Sequence, residues 1–147
     1  MRAAGPVVVA IDGASRGNPG PAAIGVAVLR DGRPVREIAE VIGVATNNVA
    51  EYRAFLRALA EAAALGARSV RVQSDSELLV RQLSGQYRVR SAQLLPLPRM
   101  ALARRREFDE VSVVHVPREQ NRAADALANR ALDEAASAGP SGRGATP

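Results

Sequence analysis

The chain has 147 residues, a formal net charge of +5 and no cysteine, and all 20 of its basic side chains are arginine. That length suits one hydrophobic core, the missing thiols exclude disulfides and thiolate metal sites, and no apolar run approaches the ~20 residues of a membrane span. An arginine excess fits a polyanionic partner and equally the codon bias of a GC-rich genome, while two Phe, two Tyr and no Trp argue against a single-strand binder built on aromatic stacking.

Val7 to Ile11 (VVVAI) reads as a strand buried on both faces, because β-branched residues run on without alternation, and it is expected to end at Asp12. Ala22–Leu29 and Pro34–Val44 are two further strands. They flank Arg30-Asp31-Gly32-Arg33, whose Asp-Gly pair signals a hairpin. From Asn47 to Leu65, Tyr52, Phe55, Leu56, Leu59 and Ala63 recur at helical spacing, and Gly66 terminates the stripe. Ser69–Gln73 is a short strand, and Ser74-Asp75-Ser76 caps a helix over Glu77–Leu83. A helix over Ala92–Phe108, broken early by Pro96 and Pro98, precedes a last strand at Val111–Val116. Asn121 then caps a final helix with an apolar face of Ala124, Leu127, Ala128, Ala131 and Leu132. A hairpin of strands followed by alternating helix and strand predicts one mixed sheet with helices packed on it. The domain is expected to cover residues 1–136, with 137–147 a disordered tail too poor in apolar residues to order itself. The start MRAAGP lacks the apolar segment of a secretory signal, so the expected location is cytoplasmic.

Asp12 and Asp75 both sit at C-terminal strand ends, where sheets of this kind bind ligands. Two carboxylates side by side repel unless a cation lies between them. Clustered acids without His or Cys point to Mg²⁺ or Mn²⁺, and a pair of such ions can serve phosphodiester hydrolysis. Glu51 lies one turn before Phe55 at the edge of the buried stripe, and Asp125 falls in the first turn of the last helix, where the dipole favours an anion. Each acid also has a plainer reading as a turn residue, a helix cap, a flanking surface charge or a dipole-neutralising group. With 15 acids in the chain, spacing alone does not select these four.

The flanking residues do select them. IDGASRGNPG after the first strand, TNNVAEYRA opening the long helix, SDSELLV after the fourth strand and REQNRAADALAN opening the last helix resemble, in order, the four signature blocks of type 1 ribonuclease H. The resemblance runs from about Val7 to Ala136. It implies an α/β ribonuclease H-like fold, a five-stranded mixed sheet with helices on both faces. It also implies Mg²⁺-dependent cleavage of the RNA strand of RNA–DNA hybrids by a two-metal-ion route, leaving 3′-hydroxyl and 5′-phosphate ends, with Mn²⁺ as a substitute ion. The implied metal-binding and catalytic acids are Asp12, Glu51, Asp75 and Asp125. Gly13, Asn18, Asn47 and Asn48 are implied contacts to the RNA strand in the minor groove, and Thr46 is implied to hold a DNA phosphate. An A-like duplex suits such small polar groups, because its wide minor groove displays the 2′-hydroxyls. Asn47 and Asn48 can also serve as helix caps. GNPG can be a plain turn, and it lacks the GK[ST] ending of a nucleotide-binding P-loop.

The sequence departs from the family in two places. Many members carry a histidine in the loop before the last acid, whereas the single histidine here, His115, falls inside VSVVHV and reads as structural. Arg118 in that loop is the candidate substitute, a permanent positive charge without a proton to shuttle. The basic, Trp-containing protrusion of longer relatives is reduced to Gln86–Glu110, where Arg99 and Arg104–Arg106 are candidate phosphate contacts. Double-stranded RNA is a further candidate substrate, and a monomer is the expected state. The alternatives are a non-catalytic hybrid-binding module with the same fold and a nuclease for another substrate such as DNA junctions.

Overall fold

The computed structural model describes residues 6–85 and 96–144. Five strands, β1 (Val7–Ser15), β2 (Gly20–Arg30), β3 (Arg33–Ala45), β4 (Ser69–Ser74) and β5 (Glu110–His115), form one sheet in the order β3-β2-β1-β4-β5. The first three are antiparallel neighbours, while β4 joins β1 and β5 joins β4 in parallel. The helices are α1 (Asn47–Ala64), α2 (Glu77–Leu83), α3 (Pro96–Arg105) and α4 (Arg122–Gly144), with a 3₁₀ turn at Arg118–Gln120 before the last. The mixed sheet expected from the sequence is therefore present. No helix among the described residues is long and apolar enough to cross a membrane.

Local chemistry explains most of these elements. Asp31 and Gly32, both at positive φ (55° and 76°), make the two-residue turn between β2 and β3, the geometry that matches the twist of the paired strands. Thr46 caps α1 through a hydrogen bond from the Val49 amide to Oγ1 (3.2 Å), and Gly66 at φ 76° ends it. Ser76 caps α2 in the same way. The helix expected at Ala92–Phe108 is observed from Pro96, with proline in its first turn where a missing N–H costs nothing. Residues 92–95 lie outside the described part.

One face of the sheet is covered by α1, with α2 and α3 beside it. This face holds the main core: Val9, Ile11, Val26, Val28, Tyr52, Phe55, Leu59, Val72 and Leu79 are all fully buried. On the opposite face α4 lies across β1, β2 and β3 through mostly small residues, Ala124 and Leu127 meeting Ala10 and Ala27, and Ala131 and Leu132 meeting Ala23. Helices thus occupy both faces, as the resemblance implies. The backbone of α4 continues to Gly144, past Ala136 where the apolar periodicity of the sequence ends.

The strand expected to stop at Asp12 does not. It runs on to Ser15 because β2 keeps pairing with it, Asp12 opposite Gly25 and Ser15 opposite Ala22. Its parallel partner does stop: the last register pair between β1 and β4 is Ile11 with Ser74. Asp12 and Asp75 are therefore the first residues beyond the point where the two strands part.

Candidate active site

Two glycines let the helices reach that point. A Cβ on Gly13 would lie 2.3 Å from the backbone carbon of Ala50 and the nitrogen of Glu51. No side chain fits, so α1 rests directly on β1. In that position Glu51 accepts a hydrogen bond from the Gly13 amide at 2.8 Å (Oε1). On the other face, a Cβ on Gly25 would lie 2.1 Å from the Ala124 carbonyl oxygen. The first turn of α4 is thereby brought down onto β2, beside Asp12, and Asp125 enters the same cavity.

The start of α4 is fixed by a residue read from the sequence only as a helix cap. Asn121 is buried and donates from Nδ2 to the carbonyl oxygen of Ile11 at 2.8 Å. Its own carbonyl accepts the Asp125 amide at 3.1 Å. One side chain thus ties the turn that carries Asp125 to the strand residue just before Asp12. One helical turn later, Asn129 donates from Nδ2 to the Asp125 carbonyl at 3.0 Å and to Oδ1 at 3.3 Å. Its place four residues after Asp125 is a signal the sequence carried.

Carboxylate oxygens of Asp12, Glu51 and Asp75 lie within 4.8 Å of one another. Asp12 and Glu51 are buried and Asp75 is half-buried. Asp125 stands on the wall of the same cavity, with Asn47, His115, Arg118 and Asn129, close enough for its charge to act on Asp12. Burial, then the charges of Asp75 and Asp125, push the Asp12 carboxyl up to about 7 against the opposing pull of Arg118. Burial and the Asp12 charge raise Glu51 well above the usual range, opposed by the Gly13 amide. Burial also raises Asp75, with Arg118 and His115 acting the other way and Asp125 adding to the rise. The arrangement carries more negative charge than its surroundings balance. A divalent cation would remove that excess, and an oxygen-only donor set open to a cavity suits a hard ion.

The other expected contacts divide around α1. Asn18, in the β1–β2 loop, accepts the Asn47 amide at 2.9 Å (Oδ1), so the loop and Thr46-Asn47 form one polar corner. Neither Asn47 nor Asn48 is the helix cap; Thr46 is. Asn48 donates from Nδ2 to Gln82 Oε1 of α2 at 3.0 Å. Gly13 serves as the seat of Glu51 and also lines the cavity. His115, expected to be structural, is the exposed last residue of β5 and lines the cavity beside Asp75. Its register partner Ser74 precedes Asp75, a neighbour set by the pairing of β4 and β5 and not by sequence distance.

This sheet order, with helices on both faces and an acid cavity where β1 and β4 part, defines a protein of the ribonuclease H-like α/β fold. A profile of the Reverse transcriptase-like family matches residues 10–131. Ribonuclease HI of Halobacterium salinarum is 49% identical over 129 residues, 84% of this chain and 63% of that protein. Bifunctional protein Rv2228c of Mycobacterium tuberculosis is 45% identical over 132 residues, 88% of this chain and 36% of that protein. The chain spans less than two thirds of the length of either. Among solved structures, RNase H1 from Halobacterium salinarum aligns with a TM-score of 0.86 at 45% identity, over 89% of this chain and 100% of that one. LC11-RNase H1, isolated from compost, aligns in its complex with an RNA/DNA hybrid with a TM-score of 0.82 at 40% identity, over 87% and 97% of the two chains. The chain belongs to the ribonuclease HI family.

Proposed function

We propose that the chain is an endoribonuclease that hydrolyses the RNA strand of RNA–DNA hybrids, using Mg²⁺ with Mn²⁺ as a substitute and leaving 3′-hydroxyl and 5′-phosphate ends. The observation that carries this reading is the convergence of Asp12, Glu51 and Asp75 within 4.8 Å, with Asp125 on the same cavity wall, in a member of the ribonuclease HI family. The relative LC11-RNase H1 was crystallised with an RNA/DNA hybrid, which supports the substrate class.

Asp12, Glu51, Asp75 and Asp125 are the groups that would hold the metal. Two bound divalent cations would supply charge stabilisation for the attacking and leaving oxygens of an in-line displacement. Asp12 and Asp75 each feel the charge of, or act on, all three of the other acids, so these two strand-end carboxylates form the centre of the group. The Gly13 amide fixes Glu51, and Asn129 with Asn121 fixes Asp125. Arg118 contributes a fixed positive charge toward Asp12 and Asp75, placed to favour departure of the new phosphate. The corner of Asn18, Thr46 and Asn47, with Asn48 and Gly13, would receive the hybrid backbone and its minor groove. The protein acts as a monomer in the cytoplasm in this reading, and double-stranded RNA is a secondary substrate.

The test is incubation of pure protein with labelled hybrid, double-stranded RNA, single-stranded RNA and DNA, in Mg²⁺, Mn²⁺ or chelator. Hybrid RNA is cut in either metal and not in chelator, and Asp75→Asn lowers the rate by at least about 10³-fold. Binding of hybrid without cleavage would point instead to a binding module. Full activity of Asp75→Asn would overturn the assignment of the site.

A further inference from the structure

Next to the acid cavity lies a second groove of about 460 Å³, lined by Arg118, Glu119, Arg122, Asp125 and Ala126. Arg118 and Asp125 line both, so the two are continuous. Most of the arginines with described side chains are engaged: Arg16 with Asp133, Arg36 and Arg57 with Glu61, Arg68 with Asp109, Arg81 with Glu77. Arg118 and Arg122 form no hydrogen bond or ion pair among the described residues. Both are exposed.

Their backbone, in contrast, is held firmly. The Gln120 and Asn121 amides donate to the carbonyls of Pro117 and Arg118 at 2.9 Å each. Asn121, between the two arginines, is anchored to Ile11. Arg122 is also the first residue of α4, where the helix dipole disfavours a cation. Its position therefore does not serve the helix. A guanidinium held ready and free of protein partners is suited to bidentate contact with a phosphate.

Resting on the proposed hybrid-cutting activity, we infer that Arg122, together with Arg118, seats the RNA-strand phosphate adjacent to the one that is cut. Once Asp125 is engaged by a cation, the groove sets two guanidinium groups against the single carboxylate of Glu119, and its net charge attracts an anion. The groove opens on the acid cavity through Arg118 and Asp125, so a strand whose scissile phosphate lies at the acids passes directly into it. Arg122 acts here as a positioning residue, holding the strand in register.

The test places a single neutral methylphosphonate at successive positions of the RNA strand of a hybrid. With wild type, neutralising one phosphate next to the scissile bond lowers kcat/KM about tenfold. Arg122→Ala loses about as much on the unmodified hybrid, chiefly in KM, and loses nothing further from that methylphosphonate; Arg122→Lys recovers part of the loss. In parallel, binding of hybrid by the Asp12→Asn protein is followed against salt, and adding Arg122→Ala reduces the slope of log K against log [salt] by about 1. Wild type that tolerates neutralisation at every neighbouring position would overturn the inference. So would Arg122→Ala with unchanged KM and undiminished sensitivity. Failure of wild type to cut hybrid refutes the proposed activity instead, and the salt slope then decides the phosphate seat on its own.

Discussion

On one face of the sheet, α1 packs through Tyr52, Phe55 and Leu59 against Val9, Ile11, Val26 and Val28, whereas on the other α4 meets it mostly through alanines, Ala124 and Leu127 against Ala10 and Ala27, and Ala131 with Leu132 against Ala23. The first face buries large apolar area, and burial of that kind is the main favourable term in folding. The second buries little per residue, yet it allows the closest approach, with α4 backbone pressed on Gly25. Small side chains there hold Asp125 beside Asp12, so the two faces divide the work between stability and the assembly of the site.

The sharpest way to break this contrast is to remove bulk from the α1 face. Phe55→Ala should cost about 3–5 kcal/mol in denaturant unfolding, while the protein that remains folded at low temperature keeps most of its turnover. The converse change is Gly25→Ala on the α4 face. Its Cβ has no space, and displacement of the helix should cost about 1–3 kcal/mol but lower hybrid cutting about 100-fold, because a shift of about 1 Å misplaces Asp125. Comparable losses of stability and activity in both variants would remove the distinction.

A smaller effect separates the acids from both cores. Asp12 ionises near 7 in the folded protein against 3.8 ordinarily, so between those values the folded state holds a proton that the unfolded chain has released. This contribution to stability is whole below about pH 4 and is lost as the pH rises to 7, and the upward shifts of Glu51 and Asp75 act in the same direction. In chelator, Tm should therefore fall by roughly 5–10 °C between pH 5 and 8. Asp12→Asn should flatten the decline, and added Mg²⁺ should reverse it by binding the native state.

What could be read from the chain alone was what local physics decides. The stripe from Tyr52 to Leu59, the Asp31-Gly32 turn and the order of elements follow from periodicity and backbone preference. The four acids were singled out through their flanking blocks, and they meet in one cavity. The continuation of β1 past Asp12 was not legible, because it depends on the length of pairing with β2. The same holds for Asn121, whose partner Ile11 lies 110 residues away, and for His115, which reaches the cavity through strand register. Arg122 carried no local signal at all; its meaning comes from the groove it lines.

The central claim is that Asp12, Glu51, Asp75 and Asp125 form one divalent-cation site. Electron paramagnetic resonance of Mn²⁺ titrated into the pure protein reads this without reference to cutting. Wild type should take up Mn²⁺ and release it to excess Mg²⁺, and Asp12→Asn, still folded, should leave the ion free in solution. Equal uptake by wild type and Asp12→Asn, or none by wild type, would contradict the account.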